Sequence, residues 1–124
     1  PTRRIVELVR ASSPGGPIIG FPRGAGVAIA GFAARTGVDA VSLDTSVPLA
    51  WAAQELQPNL TVQGNLDPQM VVVGGAPMVA AIDEIMDHLG AGPFVFNLGH
   101  GVLPNTPVEN VIFLVDLVRE LSAQ

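Results

Sequence analysis

The 124-residue chain contains no cysteine, no lysine and no tyrosine. Without cysteine there are no disulfides, no thiol nucleophile and no thiolate zinc site. The same absence fits a reducing compartment, so a cytoplasmic location is the expectation. The six basic residues are all arginine and are scattered along the chain, against 11 acidic residues and a net charge of −5. No basic stripe exists to neutralise phosphates, which excludes nucleic acid as a partner. Long hydrophobic runs are also missing. Apolar residues make up 48 % and mean hydropathy is +0.46. Yet glycine, proline or a charge interrupts each apolar run before it could cross a bilayer, so no membrane span is expected. There is no initial methionine and no signal-like segment, which suggests one partial domain over residues 1–124, a piece of something longer.

What is abundant is glycine and proline, and read as punctuation they expose a rhythm. "PIIGF" (Pro17 to Phe21), "DAVSL" (Asp39 to Leu43), "LTVQG" (Leu60 to Gly64) and "PFVFN" (Pro93 to Asn97) are short apolar runs bounded by breakers. Strands are expected over 17–22, 39–43, 60–64 and 93–97. Their near-continuous apolar character suits parallel strands covered on both faces.

Helical patterns lie between them. Residues 3–11 carry Ile5, Val6, Leu8 and Val9; residues 26–36 are alanine-rich and close at Gly37; residues 47–56 carry Leu49, Ala52, Ala53 and Leu56. Met78, Ile82, Ile85, Met86 and Leu89 form one stripe, with Asp83, Glu84 and Asp87 off it. "TPVE" predicts a last helix over 107–121, with Thr106 as N-cap, Pro107 at the first helical position and Glu109 completing a capping box. A helix followed by four βα units means an α/β fold with a parallel sheet. The spacing suits an open doubly wound sheet or half of a (β/α)₈ barrel, since a full barrel needs roughly 250 residues.

In either architecture function gathers at the carboxyl ends of the strands. There the sequence places "FPRGAG" with Arg23, "LDTS" with Asp44, "QGNLDP" with Gln63, Asn65 and Asp67, and "NLGHG" with Asn97 and His100. Asp67 before Pro68 reads as a helix N-cap. Asp44 suits a cap or loop amides as well as function, and Arg23 suits an anion or a salt bridge. Gln63 and Asn65 fit backbone groups at a strand end. His88 lies on a polar helix face and reads as solvated. His100, between Gly99 and Gly101, is the candidate to reach the mouth, because glycines allow positive φ and close approach. "FPRGAG" satisfies neither GxxxxGK[ST] nor GxGxxG, so a phosphate loop is disfavoured.

The two stretches "QGNLDP" and "FNLGHGVLPNTP" (Phe96 to Pro107), preceded by "GFPRGAG" and "GVDAVSLD", resemble motifs of the uroporphyrinogen decarboxylase family in order and separation. The resemblance implies the C-terminal half of a (β/α)₈ barrel, four parallel strands each followed by a helix. It implies an enzyme that removes the four acetate carboxyls of uroporphyrinogen as CO₂, giving coproporphyrinogen, with no metal and no organic cofactor. By that resemblance His100 contacts substrate; Arg23 and Gln63 are expected to line the mouth from their positions at the strand ends. The family's carboxylate-holding arginines, its aspartate facing the pyrrole NH groups, its tyrosine and a hydroxyl residue lie in segments this chain does not contain. The implied partners are the tetrapyrrole substrate and either the N-terminal half or another copy of the chain, and a dimer is expected. Three rivals stand beside this reading. A zinc-dependent methyltransferase of the same superfamily would need a cysteine ligand. A half-barrel could be a non-catalytic folding or assembly module. A small phosphate-binding α/β domain would bind nucleotide.

Overall fold

A computed structural model describes all of residues 1–124. The elements run α1 (Thr2–Ser12), β1 (Ile19–Gly20), α2 (Ile29–Thr36, entered through a 3₁₀ turn at Gly26–Ala28), β2 (Ala40–Ser42), α3 (Leu49–Glu55), β3 (Thr61–Leu66), α4 (Pro68–Val73), α5 (Gly75–Leu89), β4 (Phe94–Leu98) and α6 (Val108–Ser122). All three strand pairings are parallel, in the order β1-β2-β3-β4. A doubly wound sheet reverses its strand order at a switch point. This sheet does not, so its order is that of consecutive barrel strands.

Register sorts the side chains into two faces. Val41 pairs with Val62, which pairs with Phe94. Val41, Leu43, Val62 and Leu66 are at most 1 % exposed and pack under the helices with Ile29, Ala52, Leu56, Met78, Ile82 and Leu89. The opposite face carries Ile19, Ser42, Gln63 and Val95, and no element of the chain covers it. The apolar runs suit strands covered on both faces, but only the helix side is covered. Ile18, Val41 and Val62 belong to that side, while Ile19 and Val95 take open positions. Strand identity follows from composition, but the facing of each residue follows from register.

Several local signals hold. Gly37 ends α2 in the left-handed conformation. Asp67 caps α4, its Oδ1 accepting the Gln69 N–H at 2.9 Å, with Pro68 next in the first turn. The stripe on α5 is buried at Met78, Ile82, Ile85 and Leu89, while Met86 is half-buried against the core. α4 is a separate helix that the α5 pattern did not reveal. The chain breaks at Gly74 (φ +67°), where a Cβ would strike the Asn110 side chain at 2.6 Å. Asn110 itself donates to the Val71 carbonyl at 2.8 Å, tying α6 to the end of α4. The expected box at α6 does not form. Pro107 is extended (φ −62°, ψ 132°) and occupies the N-cap position, so the helix begins at Val108 and no side chain caps it. The Thr106 hydroxyl is buried without a partner.

The outermost helices are only partly covered. Val6 alone is buried on α1, leaving Ile5, Leu8 and Val9 exposed, and α6 exposes Val108, Ile112 and Val115. At the amino end of β2, Asp39 accepts the Ile18 N–H at 2.7 Å and a two-oxygen contact from Arg10 at 2.9 and 3.0 Å. Arg10 also donates to the Gly37 carbonyl, so one ion pair ties α1 to the start of two strands.

Candidate active-site mouth

Following the strands to their carboxyl ends brings Gln63, Asn97 and His100 to one side of the sheet. A cavity of about 340 Å³ lies on the face away from the helices, bordered by Ile19, Phe21, Ser42, Gln63, Asn97 and His100. Gln63 reaches across the strand pair and donates to Ser42 Oγ at 3.2 Å. Its bond is therefore to a neighbouring side chain in the cavity, not to the strand-end backbone. Asn97 accepts the Leu98 N–H on Oδ1 at 2.8 Å, which leaves its NH₂ directed elsewhere. The His100 ring contacts the Gly101 carbonyl through Nδ1 at 3.2 Å, so that nitrogen is the donor and Nε2 has no protein partner. No acidic side chain lines the cavity, although the chain carries 11 acids.

The glycines around His100 differ in purpose. Neither Gly99 nor Gly101 has a positive φ, contrary to the expectation from the "GHG" triplet. Gly99 is needed for close approach: a Cβ there would lie 2.6 Å from Thr45 Cγ2 and 2.7 Å from Thr45 N. Its N–H bonds the Leu66 carbonyl at 2.8 Å. Around Gly101 a Cβ would meet nothing within 4 Å.

Arg23 stands on the loop after β1. It is exposed, makes no side-chain ion pair and does not border the cavity wall. Asp44 is buried and holds loop amides, and Asn65 is buried, donating to the Asp44 and Val47 carbonyls at 2.9 and 3.0 Å. The Ser46 hydroxyl, then the Gly24 N–H, hold the Asp44 carboxyl below its usual range, and Arg23 adds in the same direction. Asp39 is held down likewise, first by the Ile18 N–H and then by Arg10. His88 is exposed on α5 and bonds only the Glu84 carbonyl. No three His, Asp or Glu side chains come together within reach of one metal ion. A wider groove of about 740 Å³ between α1 and α2 is lined by Arg3, Arg10 and Arg35. It lies outside the sheet near the amino end of β2, and Glu7 and Asp39 already pair Arg3 and Arg10.

The sequence profile of the uroporphyrinogen decarboxylase family matches residues 1–121. The chain belongs to the uroporphyrinogen decarboxylase family. It is 57 % identical over 119 residues to the uroporphyrinogen decarboxylase of Rhodospirillum rubrum, covering 96 % of this chain and 34 % of that protein. The enzymes of the same name from Brucella anthropi and Brucella canis are 51 % and 53 % identical, over 96 % of this chain and 35 % of theirs. The chain thus spans about a third of the length of the curated relatives it matches. The family fold is a TIM barrel, and the open four-stranded parallel sheet is a partial piece of it.

Proposed function

We propose that this chain forms the C-terminal side of a uroporphyrinogen decarboxylase barrel and contributes His100 to substrate contact at its mouth. The observation that carries this reading is the acid-free cavity at the strand carboxyl ends, in a chain of this family. A substrate bearing several carboxylates is repelled by acids and held by donors. The Gln63 and Asn97 amides, the His100 imidazole and, from the loop above, Arg23 supply donors and charge. Ile19 and Phe21, both 45 % exposed, offer an apolar wall on which the flat ring system of a tetrapyrrole would rest. Loss of CO₂ from an acetate arm needs a proton delivered to the carbon left behind and stabilisation of the charge that develops on the ring. His100, its Nδ1 occupied and its Nε2 without a protein partner, is suited to hold a carboxylate or pass a proton at Nε2. The reading as a non-catalytic module gives no reason for the absence of acids from this cavity.

The same reading calls for a partner. Both sheet edges, β1 and β4, are unpaired, and the face bearing Ile19 and Val95 is open. Two copies would supply eight strands, but each carries a helix before β1 and another after β4. At each seam α6 of one copy and α1 of the other would compete for one groove. A segment that begins and ends with a strand leaves no duplicate, so the N-terminal side of the family barrel fits better than a second copy.

The test joins residues 1–121 to the N-terminal two-thirds of the Rhodospirillum rubrum enzyme in place of its matching segment. Coproporphyrinogen formation from uroporphyrinogen is the expected result. His100→Ala should lower turnover or change the order of acetate removal. Wild-type kinetics on all four acetates in that variant would defeat the assignment of His100.

A further inference from the structure

Two carboxylates bracket β2, and they do different work. Asp39 secures the amino end, away from the mouth. Asp44 lies at the carboxyl end and is 6 % exposed. Its Oδ2 accepts the Gly24 N–H at 2.6 Å, and its Oδ1 accepts both the Ser46 N–H at 2.9 Å and the Ser46 hydroxyl. Its backbone carbonyl accepts from Asn65 Nδ2 at 2.9 Å and from the Val47 N–H at 3.2 Å. Thr45, the next residue, is the surface against which Gly99 packs. The Asp44–Ser46 turn therefore touches three neighbours: the Arg23 loop, the end of β3 and the turn that carries His100.

Neither mouth residue is held by its own side chain. Arg23 makes no ion pair, and the His100 ring bonds only the adjacent carbonyl. Their positions are set by the backbone beneath them, and that backbone rests on the Asp44 turn. We propose that Asp44 is a positioning residue for the mouth, fixing the Arg23 loop and the His100 turn in one frame so that both can meet a carboxylated substrate. The inference rests on the reading given under Proposed function. An ionised carboxylate is what the position needs, because donors approach both oxygens. The bonds that lower its pKa keep it ionised at neutral pH. Asparagine has the same shape but would turn an NH₂ group toward the Gly24 or the Ser46 N–H, so one of those bonds is lost.

The experiment uses the joined enzyme described above. Asp44→Asn should raise KM for uroporphyrinogen about tenfold and lower kcat as well, the scale of one lost charge-assisted hydrogen bond. Because it acts through the two mouth residues, its effect should shrink to under about twofold in an Arg23→Ala/His100→Ala background. Asp39→Asn removes a comparable set of bonds from the far end of β2; it should weaken the fold while leaving KM and kcat unchanged. If Asp44→Asn changes KM no more than Asp39→Asn, or keeps its full effect in the doubly substituted background, the proposal is wrong. Ser46→Ala, which removes one hydroxyl, provides the milder perturbation if Asp44→Asn does not fold; it should shift KM in the same direction, and an unchanged KM would count against the proposal. If the unsubstituted joined enzyme forms no coproporphyrinogen, the functional reading fails. The positioning claim is then decided on the 124-residue chain by NMR. Asp44→Asn must expose the Gly24 amide to exchange and shift the His100 ring resonances, and unchanged His100 resonances overturn it.

Discussion

Replacing Gly99 by alanine tests whether the His100 turn is set by packing. The backbone of Gly99 is outside the left-handed region, so an alanine there meets no conformational penalty. The obstacle is space. The new methyl would sit 2.6 Å from Thr45 Cγ2, 2.7 Å from Thr45 N and 3.2 Å from the Asn65 carbonyl oxygen. Thr45 Cγ2 can rotate away. Thr45 N cannot, because its turn is held by the Asp44 carboxylate at Gly24 and Ser46. Ordinary contact begins near 3.4 Å, so the two segments must part by about 0.7 Å. That separation works against the 2.8 Å bond from the Gly99 N–H to Leu66. Overpacking of this kind costs about 1–3 kcal/mol. With an m-value of roughly 2 kcal/mol per molar, the urea midpoint should fall by about 1 M. Gly101→Ala is the control, since a Cβ there meets nothing and φ is ordinary. It should leave the midpoint unchanged, or raise it by the roughly 0.4–1 kcal/mol that a less flexible unfolded chain provides. Equal midpoints for the two variants would refute the claim that close packing on Thr45 fixes the turn.

Leu66→Ala, at a position 1 % exposed under the helices, should cost about 2–5 kcal/mol, whereas Val95→Ala on the open face should cost less than about 0.5 kcal/mol in the chain alone; urea melts of both variants check the assignment of faces. Asp39 and Asp44 both have lowered pKa values, so their stabilisation is complete above about pH 4, the ordinary carboxylate range, and is lost as pH falls through their folded-state values. The slope of stability against pH below 4 should flatten in Asp39→Asn/Asp44→Asn, and an unchanged slope would show that other groups carry it. The 124-residue chain alone should form no coproporphyrinogen above a protein-free control, because loss of preorganised charge typically costs orders of magnitude in rate. Light scattering at micromolar concentration should show association through the open face, and a lasting monomer that binds no hydrophobic dye would count against an exposed barrel interior.

The sequence by itself determined the alternation of elements. Glycine and proline bound each apolar run, the α5 stripe recurs at helical spacing, and Asp67-Pro68 starts a helix by capping chemistry that is local to a few residues. It also determined the family, through motifs that survive as short strings, and it brought Gln63 and His100 to the strand ends where the cavity lies. Tertiary structure decided what depends on residues far apart in the chain. Which strand residues face the helices was settled by register, so Val41 and Val62 are core while Ile19 and Val95 are open. Pro107 takes the cap rather than the first helical position, its ψ of 132° being extended and not helical. Gln57, buried with its amide on the Leu89 carbonyl 32 residues away, gave no sequence signal, and neither did the Arg10–Asp39 pair 29 residues apart. The need for Gly99 and the freedom at Gly101 look identical in "GHG". Only the fold brings Thr45 against one of them and leaves open space beside the other, because close approach is a property of two segments and not of one.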